Sequence, residues 1–341
     1  MWHGAWFLLL CSIEESEMQQ HEVTERDVRL AKERIAPLVT RTPLLRSRPL
    51  TQQMGTPVYL KLESLQDTGS FKIRGAANRV LTLPPEDKER GVVTISTGNH
   101  GRAMSYVARR LDVHAVVCIP EGTVRNKVEA MERLGAEIVV SGKTYDEAED
   151  GAFQLARDRG LTMISAYDEA FIIAGQGTVG LEIVEDLPDV GAVLVPVSGG
   201  GLISGIALAV KAAGADKRVI GVSMDRAPVM YHSLKAGKPI RMEEEETLAD
   251  ALVGGIGEDN RYTFRLVQKL VDDFVLVSDE EIAEAMVFAL QEHRLVVEGG
   301  GAVGIAAVLS GKVREVQGSV AVVVSGGNVD LPLLFGLAEG R

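Results

Sequence analysis

Short apolar runs punctuate the chain at Gly91 to Ser96 (GVVTIS), His114 to Ile119 (HAVVCI), Glu137 to Val140 (EIVV) and Ala192 to Val197 (AVLVPV). Others follow at Val219 to Val222 (VIGV), Phe274 to Val277 (FVLV) and Val320 to Val324 (VAVVV). Each is shorter than an average helix and most are rich in valine. They read as strands buried on both faces, which implies parallel sheets covered by helices. Between them, apolar positions recur at helical spacing over Gly101 to Leu111, Lys127 to Leu134, Tyr145 to Arg159, Leu202 to Ala213 and Glu280 to His293. A first helix is expected over Thr24 to Ala36, with Thr24 as its cap and Asp27 as the reciprocal acid of a capping box. Thr40 to Leu45 reads as an extended entry segment. The alternation of strand and helix predicts a doubly wound α/β fold.

Composition narrows the class. Glycine supplies 36 residues and aromatics only 5%, which suits an α/β protein with many tight strand-to-helix turns. The formal net charge of −12 argues against a nucleic-acid surface, although a helix N-terminus can still bind a local anion. Two cysteines, Cys11 and Cys118, make no disulfide framework, so a cytoplasmic location is expected. The opening MWHGAWFLLLC is too short to span a membrane and lacks the basic leading region of a signal peptide. Residues 1–17 are expected to be a disordered or mis-called extension, and no membrane partner is expected.

Glycine-bearing segments at predicted strand ends and helix starts are where an open α/β sheet binds ligands. In Lys61 to Ala76 (KLESLQDTGSFKIRGA), a helix beginning near Phe71 puts Lys72 in its first turn. The positive end of the helix dipole and partial burial beside Phe71 both disfavour the charged amine. A neutral amine is the form that attacks an aldehyde, whereas a lone lysine is ordinarily a solvated surface group. Ser96 to Ala103 (STGNHGRA) follows a strand and opens a helix, a place to hold a carboxylate or simply a cap and turn. Ser198-Gly199-Gly200-Gly201 runs from a strand into a helix near Leu202, and successive glycines can form a nest of N–H donors for phosphate. Val324 to Asp330 (VSGGNVD) presents Ser325 after a strand and is, alone, an ordinary turn.

Other chemistries fail on spacing. Gly142-Lys143-Thr144 has Glu137 where a nucleotide-binding loop needs glycine, and neither Gly-x-Ser-x-Gly nor His-Glu-x-x-His occurs. Gly299 to Gly304 matches Gly-x-Gly-x-x-Gly, but no acid stands from 316 to 329, so it reads as close helix–sheet packing. Glu243 to Glu246 reads as a solvated face, and no metal site is expected.

Taken in order, Ser70-Phe71-Lys72-x-Arg74-Gly75-Ala76, Gly98-Asn99-His100, Ser198 to Leu202 and Ser325-Gly326-Gly327-Asn328 resemble the fold-type II pyridoxal-phosphate enzymes. The resemblance is to the threonine dehydratase and serine racemase branch, over about Thr24 to Phe335. It implies a tryptophan synthase β-like α/β fold, two-lobed, with twisted and mostly parallel sheets. The larger, cofactor-binding lobe would take 18–66 and 167–341, and the smaller 67–166, with pyridoxal 5'-phosphate between them.

The implied roles are definite. Lys72 would carry the cofactor and later take the substrate's α-proton, with Phe71 beside it. Asn99 would bond the cofactor's ring oxygen, and the backbone of Ser198, Gly199, Gly200, Gly201 and Leu202 would hold its phosphate. Ser325 would face the ring nitrogen. Ser96, Thr97, Gly98, Asn99 and His100 would meet the substrate. The implied reaction turns a small β-hydroxy amino acid into a 2-oxo acid and ammonia, in a cytoplasmic homodimer. The alternative is an amino-acid racemase, and Thr97, standing where a second-face proton donor would be, keeps it open. Segments 221–230, 247–260 and 296–307 further resemble the hydroxyectoine-utilisation dehydratases. Ser223 and Val229 stand where the branch has acidic cation ligands, which argues against a metal activator. The chain ends soon after Ser325, which implies no feedback-regulatory domain.

Overall fold

In the computed structural model, which describes residues 22–340, valine-rich runs and amphipathic segments alternate along the chain. The first half comprises α1 (Glu25–Ile35), β1 (Leu44–Ser47), α2 (Arg48–Met54), β2 (Val58–Leu62), α3 (Lys72–Thr82), α4 (Pro85–Arg90), β3 (Val92–Ile95), α5 (Asn99–Arg110), β4 (Ala115–Ile119), α6 (Arg125–Arg133), β5 (Glu137–Val140), α7 (Tyr145–Arg159) and β6 (Thr162–Met163). The second comprises α8 (Ala170–Asp186), β7 (Val190–Pro196), α9 (Gly201–Ala213), β8 (Arg218–Met224), α10 (Val229–Ala236), α11 (Thr263–Leu270), β9 (Asp273–Val277), α12 (Asp279–His293), α13 (Gly299–Leu309), β10 (Ser319–Val324) and α14 (Leu331–Glu339). The expected extension 1–17 lies outside the described residues.

The elements fall into two compact units. Among the described residues, one holds those up to Val39 and Lys72–Gly175; the other holds Thr40–Phe71 and those from Gln176 onward. The first unit is built on a four-stranded sheet ordered β5-β4-β3-β6, parallel throughout. The second is built on a six-stranded sheet ordered β1-β2-β10-β7-β8-β9, parallel except for the antiparallel edge pair β1–β2. Alternation along β10 explains its uninterrupted apolar run from Val320 to Val324. Val320, Val322 and Val324 enter one apolar cluster, while Ala321 and Val323 enter another on the opposite face. A strand covered on both sides has no polar face to display.

The unit boundaries differ from the sequence expectation. Helix α1 belongs to the first, smaller unit rather than the larger. Its Ile35 joins Ile73, Ala77 and Val80 of α3 in one core, and Arg34 reaches the Asn78 Oδ1 at 2.5 Å. The smaller unit also starts at Lys72 rather than residue 67 and runs to Gly175 rather than residue 166. The acid predicted to close the first helix's cap does so: the Thr24 N–H and hydroxyl donate to the Asp27 carboxylate at 2.8 and 2.6 Å.

Strand β2 escapes the apolar-run criterion because it contains Lys61. That side chain is fully buried and ion-paired with Glu182 at 2.6 Å within the second unit. The Gly299–Gly304 stretch is a packing device, as its spacing suggested. A Cβ on Gly304 would lie 2.7 Å from Val322 Cγ1 of β10, and one on Gly301 would lie 2.5 Å from the Gly326 carbonyl. Among the described residues, no helix is long and apolar enough to cross a membrane.

Candidate active site

In the first unit, β3 ends at Ile95 and the chain turns through Ser96, Thr97 and Gly98 into α5. The Ser96 hydroxyl accepts the Gly98 N–H at 3.2 Å, and the Ser96 N–H donates to the Cys118 carbonyl at 3.3 Å. These bonds fix the turn to the ends of two neighbouring strands. Helix α5 begins at Asn99, two residues earlier than its periodicity suggests, and no side chain caps its first turn. Such a helix start directs N–H dipoles at whatever anion approaches.

Thr97, Gly98 and Asn99 are half-buried and reachable by a ligand. His100 is not: its ring is 2% exposed, and neither nitrogen has a hydrogen-bond partner among the described residues. Burial, aided by the charge of Lys72, holds this imidazole well below its usual value, so it is neutral near pH 7. Of His100, the turn therefore presents the backbone and not the ring. The ring is enclosed by protein and faces Lys72 electrostatically.

Lys72 is the first residue of α3, in the first-turn position expected, and is half-buried. Its Nζ donates to the Ala166 carbonyl at 2.8 Å. Helices α3 and α5 share one core through Ile73, Ala76, Ala103 and Met104, so Lys72 and the 96–100 turn belong to one rigid assembly.

In the second unit, β7 and β10 are parallel neighbours and release their following loops at the same sheet edge. Beyond β7, Val197 remains tied by its N–H to the Val222 carbonyl at 2.8 Å, and Ser198-Gly199-Gly200 leads into α9. Gly200 has φ +88°, a left-handed backbone, and a Cβ there would lie 2.8 Å from Met230 Cε and 3.0 Å from Thr263 Cβ. No side chain caps α9, leaving its N-terminal dipole directed at the loop. The Thr263 hydroxyl accepts from Asn260 Nδ2 at 2.8 Å. Met230, Asn260 and Thr263 thus shape the glycine loop; the first two end the 221–230 and 247–260 segments, but the sequence assigned none of the three a role.

Beyond β10, Ser325 is buried, and its hydroxyl lies 3.5 Å from the Gly300 carbonyl, a long contact. Its backbone is held more firmly. The Phe71 N–H donates to the Ser325 carbonyl at 3.0 Å, and Ser70 and Gly326 form an antiparallel bridge. The Gly327 N–H donates to the Gly69 carbonyl at 2.9 Å, and Asn328 Nδ2 to the Thr68 carbonyl at 2.9 Å. Two motifs far apart in sequence are therefore zipped together. Glu298, 5% exposed, lies against Gly326; it belongs to the 296–307 segment, but the sequence assigned it no role.

Each unit by itself carries residues that suit part of a phosphorylated pyridine aldehyde. A glycine loop that a Cβ would fill stands at a helix N-terminus, a hydroxyl stands at the adjoining strand end, and a lysine amine opens α3. The buried Ser70 and Ser204 hydroxyls, beside Gly326 and one turn into α9, have no hydrogen-bond partner among the described residues. At 223–229, the Ser223 hydroxyl donates to the Val197 carbonyl at 2.9 Å, and Val229 sits in an apolar cluster. Among the described residues, no three His, Cys, Asp or Glu side chains cluster to hold a metal ion.

Known proteins place the chain. It is 51% identical over 303 residues to a Sinorhizobium fredii protein provisionally named threonine dehydratase, covering 89% of this chain and 91% of that one. It is 42% identical to an L-threonine ammonia-lyase of Thermotoga maritima, covering 92% of this chain and 77% of the relative. Among solved structures, maize serine racemase superposes with a TM-score of 0.88 at 35% identity, covering 94% of this chain and 98% of that one. The family model described as pyridoxal-phosphate dependent enzyme matches residues 35–326, and the chain belongs to that family.

Proposed function

We propose that the chain is an ammonia-lyase that removes water and then ammonia from a small β-hydroxy amino acid: L-threonine, L-serine or a hydroxyaspartate-like compound. The observation that carries this reading is the zipped pairing of 69–71 with 325–328. It fixes Phe71, the residue preceding Lys72, to the strand end that bears Ser325 and adjoins the glycine loop. The bound cofactor supplies an electron sink conjugated to the substrate's α-carbon. Lys72 carries it and then takes the α-proton. Asn99 bonds the ring oxygen, and the N–H groups of Ser198, Gly199, Gly200, Gly201 and Leu202 hold the phosphate. Ser325 offers the ring nitrogen a neutral hydroxyl, a weak sink that favours prompt loss of the β-hydroxyl. Ser96, Thr97, Gly98 and Asn99 hold the substrate carboxylate, with His100 contributing its backbone.

The threonine names of the relatives support an L-threonine-type substrate. Hydroxyaspartate-like compounds stand beside it as candidates, and segments 221–230, 247–260 and 296–307 resemble the hydroxyectoine-utilisation dehydratases. The test is a panel of β-hydroxy amino acids, including both hydroxyaspartate diastereomers, assayed for 2-oxo acid and ammonia. Borohydride reduction followed by peptide mapping has to mark Lys72; a mark at another lysine refutes the reading.

Racemisation is the second reading. The half-buried Thr97 beside the helix start and the likeness to maize serine racemase favour it. A chiral assay for D-serine decides it, and Thr97→Ala abolishes racemisation while sparing elimination if both run in one site. We further propose a cytoplasmic homodimer, which light scattering of the purified protein tests.

A further inference from the structure

The acceptor that the Lys72 amine meets is not an isolated carbonyl. Ala166 lies in the turn after β6, in the same unit as Lys72, and that turn is braced from several sides. The Ser165 hydroxyl accepts the N–H groups of Tyr167 and Asp168 at 3.3 and 3.1 Å. The Ser165 N–H donates to Glu169 Oε2 at 3.2 Å, and Glu169 in turn is ion-paired with Arg79. Arg79 is 6% exposed, and its guanidinium lies 5.3 Å from the centre of the Phe171 ring. Asn78 Nδ2 donates to the Phe171 carbonyl at 2.6 Å. Asn78 and Arg79 both belong to α3, the helix that Lys72 opens. One helix therefore supplies both the amine and the grip on the turn that receives it.

The chemistry of the acceptor matters. A lysine that alternates between covalent attachment and proton removal has to be held while released, because its flexible stem otherwise disperses the amine. A carboxylate would hold it, but would also keep it protonated and unfit as a base. A main-chain carbonyl accepts from the ammonium and from the neutral amine alike and carries no full charge. The neighbouring imidazole of His100, enclosed and unpartnered among the described residues, adds no anion on that side either.

We propose that the Ser165–Glu169 turn is the holder of the released Lys72 amine, with Glu169, Arg79 and Ser165 as positioning residues that act through the Ala166 carbonyl. This rests on the reading of Lys72 as the cofactor lysine. The holder makes a hydrogen bond and breaks no covalent bond.

The test uses the holoenzyme with Glu169→Gln and, separately, Ser165→Ala. Both variants are expected to keep the cofactor's near-visible absorbance and borohydride fixation at Lys72. Loss of one orienting bond predicts a roughly tenfold fall in kcat with KM changed less than about threefold. The deuterium isotope effect with α-deuterated substrate rises, since proton removal becomes slower relative to other steps. Independently of turnover, cofactor-stripped variant protein recovers its absorbance roughly tenfold more slowly on adding pyridoxal phosphate, because the amine is no longer presented. Unchanged kcat, isotope effect and recovery rate in both variants overturn the holder. Fixation at a lysine other than Lys72 in the unsubstituted protein overturns the underlying reading instead. Should Glu169→Gln fail to fold, Ser165→Ala, which removes one hydroxyl, decides alone.

Discussion

The Phe71 N–H donates to the Ser325 carbonyl at 3.0 Å, so the peptide leading into Lys72 and the hydroxyl-bearing end of β10 move as one piece. The bond is main chain to main chain and survives a change of the Ser325 side chain. Ser325→Ala is therefore expected to leave the melting temperature almost unchanged. It removes one neutral hydrogen bond toward the cofactor, worth about 1 kcal/mol, so kcat/KM falls roughly fivefold to tenfold. Ser325→Asp, by keeping the ring nitrogen protonated, strengthens the sink and raises the ratio of racemisation to elimination in a chiral assay. A ratio that stays constant across the three proteins would place the ring nitrogen elsewhere.

Gly200 bears two constraints at once, a φ of +88° and the approach of Met230 and Thr263. A left-handed conformation costs a non-glycine residue about 1–2 kcal/mol, before any displacement of those side chains. Gly200→Ala is expected to unfold at lower urea and to weaken cofactor affinity by tenfold or more, read by absorbance titration. Gly237 is the control. It also has positive φ, +70°, but its Cβ would meet nothing within 4 Å, so Gly237→Ala is expected to cost stability without costing cofactor affinity.

The sequence displays what is periodic and hides what depends on pairing. Doubly buried strands such as β4 and β10 are legible because burial on both faces leaves no polar position. Strand β2 is hidden because Lys61 finds Glu182 only across the fold, as is the two-residue β6. Glycine loops announce themselves through composition, and Lys72 through its place after Gly69-Ser70. Ala166 is illegible because it contributes a carbonyl, which every residue possesses. His100 comes with the Gly98-Asn99-His100 motif; a helix turns successive side chains about 100° apart, so its ring lies in the core while its backbone stays in the turn.

Lys61 and Glu182 are both almost wholly enclosed, and Lys61 Nζ also donates to the Thr42 carbonyl at 2.7 Å. Lys61 sits opposite Val323 in the β2–β10 register, next to the strand that carries Ser325. Lys61→Met leaves the Glu182 carboxylate buried without its lysine and is expected to cost about 3–5 kcal/mol in urea unfolding. The double variant Lys61→Met, Glu182→Leu removes both charges and recovers most of that loss. Equal losses in the single and double variants would assign the effect to packing rather than to the uncompensated charge.

His100 sets an acid limit on the fold. In the folded chain, burial and then the charge of Lys72 hold its imidazole well below the ordinary 6.5. In the unfolded chain it titrates near about 6.5. Between those two values the unfolded state binds the extra proton, so stability rises with pH there. This contribution is fully present above about pH 6.5 and is lost as the pH falls toward the folded value, with a slope of up to about 1.4 kcal/mol per pH unit. Urea midpoints at about pH 7.5 and about pH 5.5 measure it. His100→Asn cannot take up the proton and is expected to flatten the difference between the two midpoints, even if the variant is less stable at both. A variant whose midpoints fall in parallel with those of the unsubstituted protein would transfer the acid sensitivity to other groups.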